Sequence, residues 1–212
     1  IILFSLTLLS SCANLGGGPQ GGPRDTIPPL VEKESPINGT LNFEAKRIEI
    51  HFDEYIQLDD IQKNVLISPP QQRPPEVKAI GKTLSVVFAE SLLDSTTYTI
   101  DFGSAICDYN EKTPLHGYVY SFSTGDKIDS LAISGRVYNA ENLDPVPSVL
   151  VGIHSNHADS AMNTLPFSRI TRSDTEGYFT IHNIREGAYR LYALNDISRD
   201  YLYQPGEAIP FA

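Results

Sequence analysis

The sequence predicts an all-β protein built from two antiparallel β-sandwich domains in tandem, preceded by a lipoprotein signal and a flexible tether. Three observations predict it. Short runs that alternate apolar and polar residues recur from about residue 30 to residue 194. Turn-forming residues are dense, with 15 Gly and 15 Pro in 212 residues, so the chain must reverse often. No segment carries apolar residues at helical spacing over a useful length, which leaves strands as the means of burying the 41% hydrophobic content.

The first eleven residues are an apolar run, Ile1-Ile2-Leu3-Phe4-Ser5-Leu6-Thr7-Leu8-Leu9, followed by Ser10-Ser11 and Cys12. A helix crossing a bilayer needs about 20 apolar residues, so this run is too short to span but suits the apolar core of an export signal. Leu9-Ser10-Ser11-Cys12 resembles the bacterial lipobox. The resemblance implies cleavage before Cys12, lipid carried by Cys12 as the first residue of the mature chain, and residues 1–11 as signal peptide. The missing initiator Met and basic leader suggest that the sequence starts inside that signal. Residues 12–29 are rich in Gly and Pro and poor in apolar side chains, so they read as a coil. About 17 such residues hold the next domain on the order of 20–25 Å from the lipid.

Residues 30–125 form the first domain. Ile48, Ile50 and Phe52 alternate with Glu49 and His51; Leu84, Val86 and Phe88 with Ser85 and Val87; Tyr98, Ile100 and Phe102 with Thr99 and Asp101. Residues 65–68 and 119–123 add two more strands, and residues 59–63 suit one helical turn. Residues 129–212 form the second domain, with strands expected at 131–138, 149–153, 168–171, 178–181 and 189–194. No long linker separates the two, so end-to-end stacking is expected.

Several motifs extend this reading to families. Ser35-Pro36, Asn38-Gly39, the strand Ile48-Glu49-Ile50-His51-Phe52-Asp53-Glu54, Leu92 with Thr96-Thr97-Tyr98-Thr99-Ile100, Asp108-Tyr109-Asn110 and Tyr120-Ser121-Phe122-Ser123-Thr124 together resemble the bacterial Ig-like domain of S-layer type. The glycine of that family's Asp-loop is absent here. Ile133-Ser134-Gly135-Arg136-Val137, Val149-Leu150-Val151, Asp174-Thr175-Glu176-Gly177-Tyr178-Phe179 and Gly187-Ala188-Tyr189 resemble the prealbumin-like, or carboxypeptidase-regulatory-like, sandwich, with Ser148 standing where that pattern has Gly. The whole arrangement is similar to outer-membrane lipoproteins of Bacteroidota. The resemblance implies non-catalytic modules that space, scaffold or bind. Physically, Asn38-Gly39 suits a turn with positive φ, and Tyr98 has the size and hydroxyl to anchor a sandwich corner.

Composition narrows the partners. The formal net charge is −10, from 26 acidic and 16 basic residues, and no basic stripe is present, so phosphate backbones are not attracted and nucleic acid is not a partner. The membrane is reached through the Cys12 lipid alone. The second cysteine, Cys107, reads as a buried thiol. Asp53 and Glu54 are adjacent on a strand and so face opposite ways, which makes them a poor acid/base pair.

The sharpest candidate for chemistry is residues 196–207, where Asp196, Ser198, Asp200, Leu202 (through its carbonyl) and Glu207 fall at calcium-loop spacing. Tyr201 occupies the position that wants Gly, and an acidic solvated loop is the plain alternative. His154 and His157 with Asp159 are a weaker zinc pattern in a polar loop with no third ligand fixed nearby. Asp-(Ser/Thr)-apolar triplets make Thr26 and Ser130 candidate O-glycosylation sites. No hydrolase elbow, zinc-protease, phosphate-loop or dinucleotide motif is present. The sequence therefore points to a non-enzymatic envelope lipoprotein on the periplasmic or cell-surface face of the outer membrane, binding a protein or glycan partner, with calcium as the one candidate cofactor. The alternatives are the stalk of a surface enzyme whose catalytic domain lies beyond Ala212, and an accessory subunit of an outer-membrane assembly or secretion complex.

Overall fold

Alternation in the strand Arg47–Phe52 translates directly into burial: Ile48, Ile50 and Phe52 are inside, while Arg47 is exposed and Glu49 and His51 are half-buried. The computed structural model describes residues 25–204 and Glu207, so the expected signal and the expected lipidation at Cys12 lie outside the described residues. The first module runs β1 (Val31–Ser35), β2 (Arg47–Phe52), β3 (Ile56–Leu58), a helical turn α1 (Ile61–Asn64), β4 (Leu66–Ser68), β5 (Glu76–Ile80), β6 (Thr83–Val87), β7 (Thr97–Asp101), β8 (Ile106–Asp108) and β9 (Val119–Ser123). Sheet β1-β2-β6-β5 faces sheet β4-β7-β9, and β3 pairs with β8 as a short ribbon. Every pairing is antiparallel. Ile48, Ile50, Phe52, Leu84 and Val86 from one sheet meet Tyr98, Ile100, Tyr120 and Phe122 from the other. Each fully buried side chain of this size contributes about 1.5–3 kcal/mol.

Local signals behave as their chemistry requires. Asp60 caps α1 by accepting from the Lys63 amide. Tyr98 stacks on Phe122 at 5.3 Å and its hydroxyl accepts from the Leu93 amide at 2.8 Å, closing the corner that leads into β7. Gly39 has φ +87°, and the neighbouring Asn38 side chain works as a piece of strand: it accepts from Ser121 N and donates to Val119 O. The chain is docked on the sandwich before β1, because the Thr113 hydroxyl donates to the Asp25 carbonyl and Pro29 is buried.

The second module contains β10 (Leu131–Arg136), β11 (Leu150–His154), a helical turn α2 (Ala161–Thr164), β12 (Arg169–Arg172), β13 (Tyr178–Ile184) and β14 (Arg190–Leu194). Sheet β10-β13 covers sheet β12-β11-β14. Val149, Val151 and Ile153 pack against Phe179, Ile181 and Ile184 between them. Gly135 pairs with Phe179 across β10 and β13, and the ring lies over it so closely that a Cβ there would stand 2.8 Å from the aromatic carbons. The Asp174 hairpin turns through Gly177 at φ +82°, with Asp174 accepting from the Glu176 and Tyr178 amides.

The modules lie side by side, which corrects the end-to-end stacking expected from the short connection. β7 is buried on both faces: Tyr98 and Ile100 enter the first core, while Thr97 and Thr99 face the second module. The outer face of β4-β7-β9 carries Ser68, Thr97, Thr99, Ser121 and Ser123 rather than long charged chains, so a second layer can approach it. Leu66 of β4 joins Leu150, Phe167 and Ile170 in an apolar cluster shared by both modules.

Ser148 adopts φ +60°, a left-handed conformation in which an L side chain costs about 1–2 kcal/mol. Ser148→Gly relieves that strain and gives part of it back as unfolded-chain entropy. Thermal unfolding of the variant is expected to show a gain of about 0.5–1 kcal/mol; a loss would mean that the hydroxyl has a role the backbone conformation does not explain.

Candidate functional site

The seam between the modules holds the densest buried polar network among the described residues. Asp129 anchors it. The Asp129 amide donates to the Thr97 hydroxyl at 2.9 Å, and the hydroxyl returns a bond to Asp129 Oδ2 at 3.3 Å. Arg169, at the start of β12, lies 3.7 Å from the same carboxylate and donates through Nε to the Asn183 carbonyl at 2.9 Å. Arg185 approaches Asp129 Oδ1 at 3.3 Å from the exposed side and donates to the Ser95 carbonyl of the first module at 2.6 Å. The side chains of Arg169 and Asp129 are 9% and 5% exposed, so this is an ion pair taken out of water. Burial pulls the Arg169 guanidinium below its ordinary pKa, and the Asp129 carboxylate opposes that pull.

Asn183 makes the seam specific. The register between β10 and β13 slips between Leu131 and Ile133, and Asn183 sits opposite that irregularity with φ +57°. A bulge re-aims a side chain, and Asn tolerates the left-handed region better than most L residues. The Asn183 amide oxygen accepts from Thr99 at 2.8 Å and Ser121 at 3.3 Å, and its nitrogen donates to the Asp129 carbonyl at 2.8 Å. One side chain thus joins β7, β9 and the inter-module connection. Ser68 adds another link by accepting from Ile170 N at 3.0 Å. Sequence reading did not single out Asn183, Asp129 or Arg169; the available signal was the run of small hydroxyls on β7 and β9.

The residues expected to carry chemistry are distributed differently. In the calcium-spaced loop, Glu207 accepts from the amides of Ile197, Ser198 and Gln204. Asp200 accepts from Leu202 N and the Gln204 side chain, and Asp196 from Ser198 Oγ and Tyr201 N. Burial acts to raise the pKa values of Asp200 and Glu207, but these donors outweigh it and hold both below the ordinary carboxylate range. The carboxylates close the loop on itself, and among the described residues no three His, Cys, Asp or Glu side chains converge as metal ligands. His154 ends β11 inside the core instead of lying in a polar loop: its ring is 4.6 Å from Phe167, its Nε2 has no partner, and burial lowers its pKa. His157 is exposed and Asp159 pairs with Arg190, so the three do not meet. Thr26 and Ser130 are both exposed. Cys107 is a buried thiol whose pKa burial raises.

Asp108 is a fully structural carboxylate. It accepts from the amides of Asn110, Glu111 and Thr113, and the loop it organises places Lys112 at φ +61°. Burial works to raise its pKa, but the amide donations prevail and lower it. Glu54 nearby shifts the other way, raised by burial first and then by Asp108, Asp53, Asp25 and Glu111. Asp53 accepts from Leu30 N at 2.8 Å and fastens the start of β1.

The protein is thus a two-module β-sandwich chain with structural polar networks, of which the first module is Ig-like. Residues 25–124 match the family model of the bacterial Ig-like domain. No curated protein matches the chain. Among solved structures, it is similar to the N-terminal part of the bacterial S-layer protein SbsC, with 13% identity, 87% of this chain and 44% of that one covered, and a TM-score of 0.31. It therefore spans 44% of that structure's length. It is also similar to an L,D-transpeptidase from Mycobacterium smegmatis, at 11% identity, 77% and 79% coverage and a TM-score of 0.32. The T6 backbone pilin of Streptococcus pyogenes gives 9% identity, 78% and 48% coverage and a TM-score of 0.23. Values this low fix neither topology nor function.

Two outcomes test the networks. Asn183→Gly keeps the left-handed backbone free of strain but removes the amide, and denaturant unfolding is expected to show a loss of about 1–3 kcal/mol; an unchanged midpoint would contradict the seam assignment. For Asp108, a folded pKa below the ordinary 3.8 means that its stabilisation is complete above that value and lost as pH falls through the lower folded value. The stability gap between wild type and Asp108→Asn should therefore be about 1–3 kcal/mol at pH 7 and shrink below about pH 4. An equal gap at pH 7 and pH 3 would show that the charge is not what the three amides hold.

Proposed function

We propose that this chain is part of a non-catalytic outer-membrane lipoprotein of the Bacteroidota kind, anchored by lipid on Cys12. It presents an Ig-like and a prealbumin-like sandwich as one rigid binding or scaffolding unit. The observation that supports the reading is the seam: Asn183 bonds to Thr99 and Ser121 of the first module and Asp129 to Thr97, while Arg169 holds the Asp129 carboxylate from behind. A spacer or scaffold has to hold its surfaces at a fixed separation and angle, and this arrangement does so. The buried polar groups best suited to chemistry, Asp108 and Asp129, are committed to backbone amides and inter-module partners.

The strand edges supply a surface for a protein or glycan partner. β1 and β5 are edge strands studded with Glu32, Lys33 and Glu34, or Glu76 and Lys78, which discourage strand addition. β10 differs: from Leu131 to Gly135 it carries no charge, is largely exposed, and among the described residues pairs with β13 alone. That open edge suits strand pairing with a partner.

Labelled palmitate fed to cells expressing the full-length protein tests the anchor. Label should enter the wild type and be absent from Cys12→Ala, which should leave the envelope fraction for the soluble one. Equal envelope fractionation of both forms would overturn the lipoprotein reading.

A further inference from the structure

A cleft of about 380 Å³ opens where α1 and β5 of the first module meet the end of the second. Its lining is apolar from Ile61, Val65 and Val77 together with Pro74 and Pro75, and cationic from Arg172 on β12 and Arg199 in the 196–207 loop. The volume suits one large aliphatic side chain and its flanking backbone.

Three features of this cleft are unbalanced. The chain has 26 acidic and 16 basic residues, yet neither Arg172 nor Arg199 pairs with a carboxylate among the described residues. Their contacts are neutral: Arg172 donates to the Ser148 carbonyl at 3.4 Å and Arg199 to the Gln62 amide oxygen at 2.9 Å. Burial and the Asp196 carboxylate raise the pKa of the Tyr201 hydroxyl on the same side, against the pull of both guanidiniums. The second feature is Gln71, which lines the same cleft and whose side-chain oxygen is shielded from solvent without any hydrogen-bond donor. A buried acceptor left unpaired costs about 1–3 kcal/mol, so rotation of the amide toward a donor in the lumen is favoured. The third is the apolar wall itself, open to water beside two charges.

An anion answers the guanidiniums, an N–H answers Gln71 and an aliphatic group answers the walls. Those three groups occur together at the carboxyl end of a polypeptide whose last residue is apolar. We propose that the cleft binds the C-terminal carboxylate of a partner peptide ending in a large aliphatic residue, with Arg172 and Arg199 on the carboxylate, Gln71 on the last amide N–H and the aliphatic side chain against Val65 and Val77. This site is separate from the β10 edge and does not depend on lipidation.

Fluorescence anisotropy with a fluorescein-labelled pentapeptide ending in leucine tests it on the purified chain. The free acid should bind at least tenfold more tightly than the same peptide as its C-terminal amide, because charge-assisted hydrogen bonds are lost with the carboxylate. Arg172→Gln combined with Arg199→Gln should erase the difference between acid and amide. Gln71→Leu should weaken the acid about tenfold while leaving the thermal midpoint unchanged or raised. Equal binding of acid and amide, binding that survives the double Arg variant, or displacement by octanoate at the same concentration as by unlabelled peptide acid would each overturn the assignment. So would no binding at millimolar peptide. Because acid and amide are compared on one unmodified protein, the result does not depend on how the variants fold.

Discussion

The polar seam, in which Asn183 and Asp129 bond to the first module while Arg169 and Arg185 hold the Asp129 carboxylate, is the constraint on which the rest of the molecule depends. Removing two charges from water is costly, and a buried ion pair of this kind contributes less to net stability than an apolar pair of similar size. Its value lies in geometry. Asp129 is held at once by Thr97 and by two guanidiniums, and Asn183 bridges to Thr99 and Ser121, so only one mutual placement of the sandwiches satisfies every partner. A sliding or rotated arrangement takes the Asn183 oxygen away from Thr99 and Ser121 and Asp129 away from Thr97. The apolar contact of Leu66 with Leu150, Phe167 and Ile170 supplies attraction beside it, and the polar clamp supplies register.

The seam also accounts for the unusual burial of two central strands. β7 and β11 are closed on both faces, which antiparallel sandwiches do not need for stability alone. β7 answers with threonines, compact enough for a second layer and able to hydrogen-bond across it. β11 answers with Gly152, where a Cβ would stand 2.5 Å from the Phe167 ring, and with His154, kept neutral by burial against that ring. The aliphatic cleft and the Arg172–Arg199 pair lie at another part of the same boundary, so whatever occupies it touches both modules.

How much of this was legible in the sequence follows from where each residue's environment is decided. β2, β4, β6, β7, β9, β10 and β12 through β14 are visible because apolar and polar residues alternate along them, a local property, while β11 shows as a short continuous apolar run. β1 and β5 are not, since charged residues dominate both edge strands and leave a single well-buried side chain, Val77. β3 and β8, three residues each, are too short for any period to register. One motif position was informative in a particular way: Ser148 takes up left-handed backbone where the prealbumin-like pattern has Gly, so the turn geometry survives the loss of its usual residue. The calcium spacing in residues 196–207 was present in the letters, but hydrogen bonds from loop amides and side chains already occupy those carboxylates. The seam was the least legible. Asn183 acquires its role from a register irregularity between strands 50 residues apart in sequence, and Asp129 from a partner in the other module. Nothing local distinguishes them from ordinary polar loop residues.

The most direct measurement of the central claim is a set of backbone amide residual dipolar couplings recorded on the whole chain and fitted separately for the two sandwiches. A single rigid unit predicts that one alignment tensor, with the same magnitude and orientation, fits the couplings of residues 31–123 and of residues 131–194. Two tensors of different magnitude would mean that the modules reorient independently, and the seam would then be no clamp.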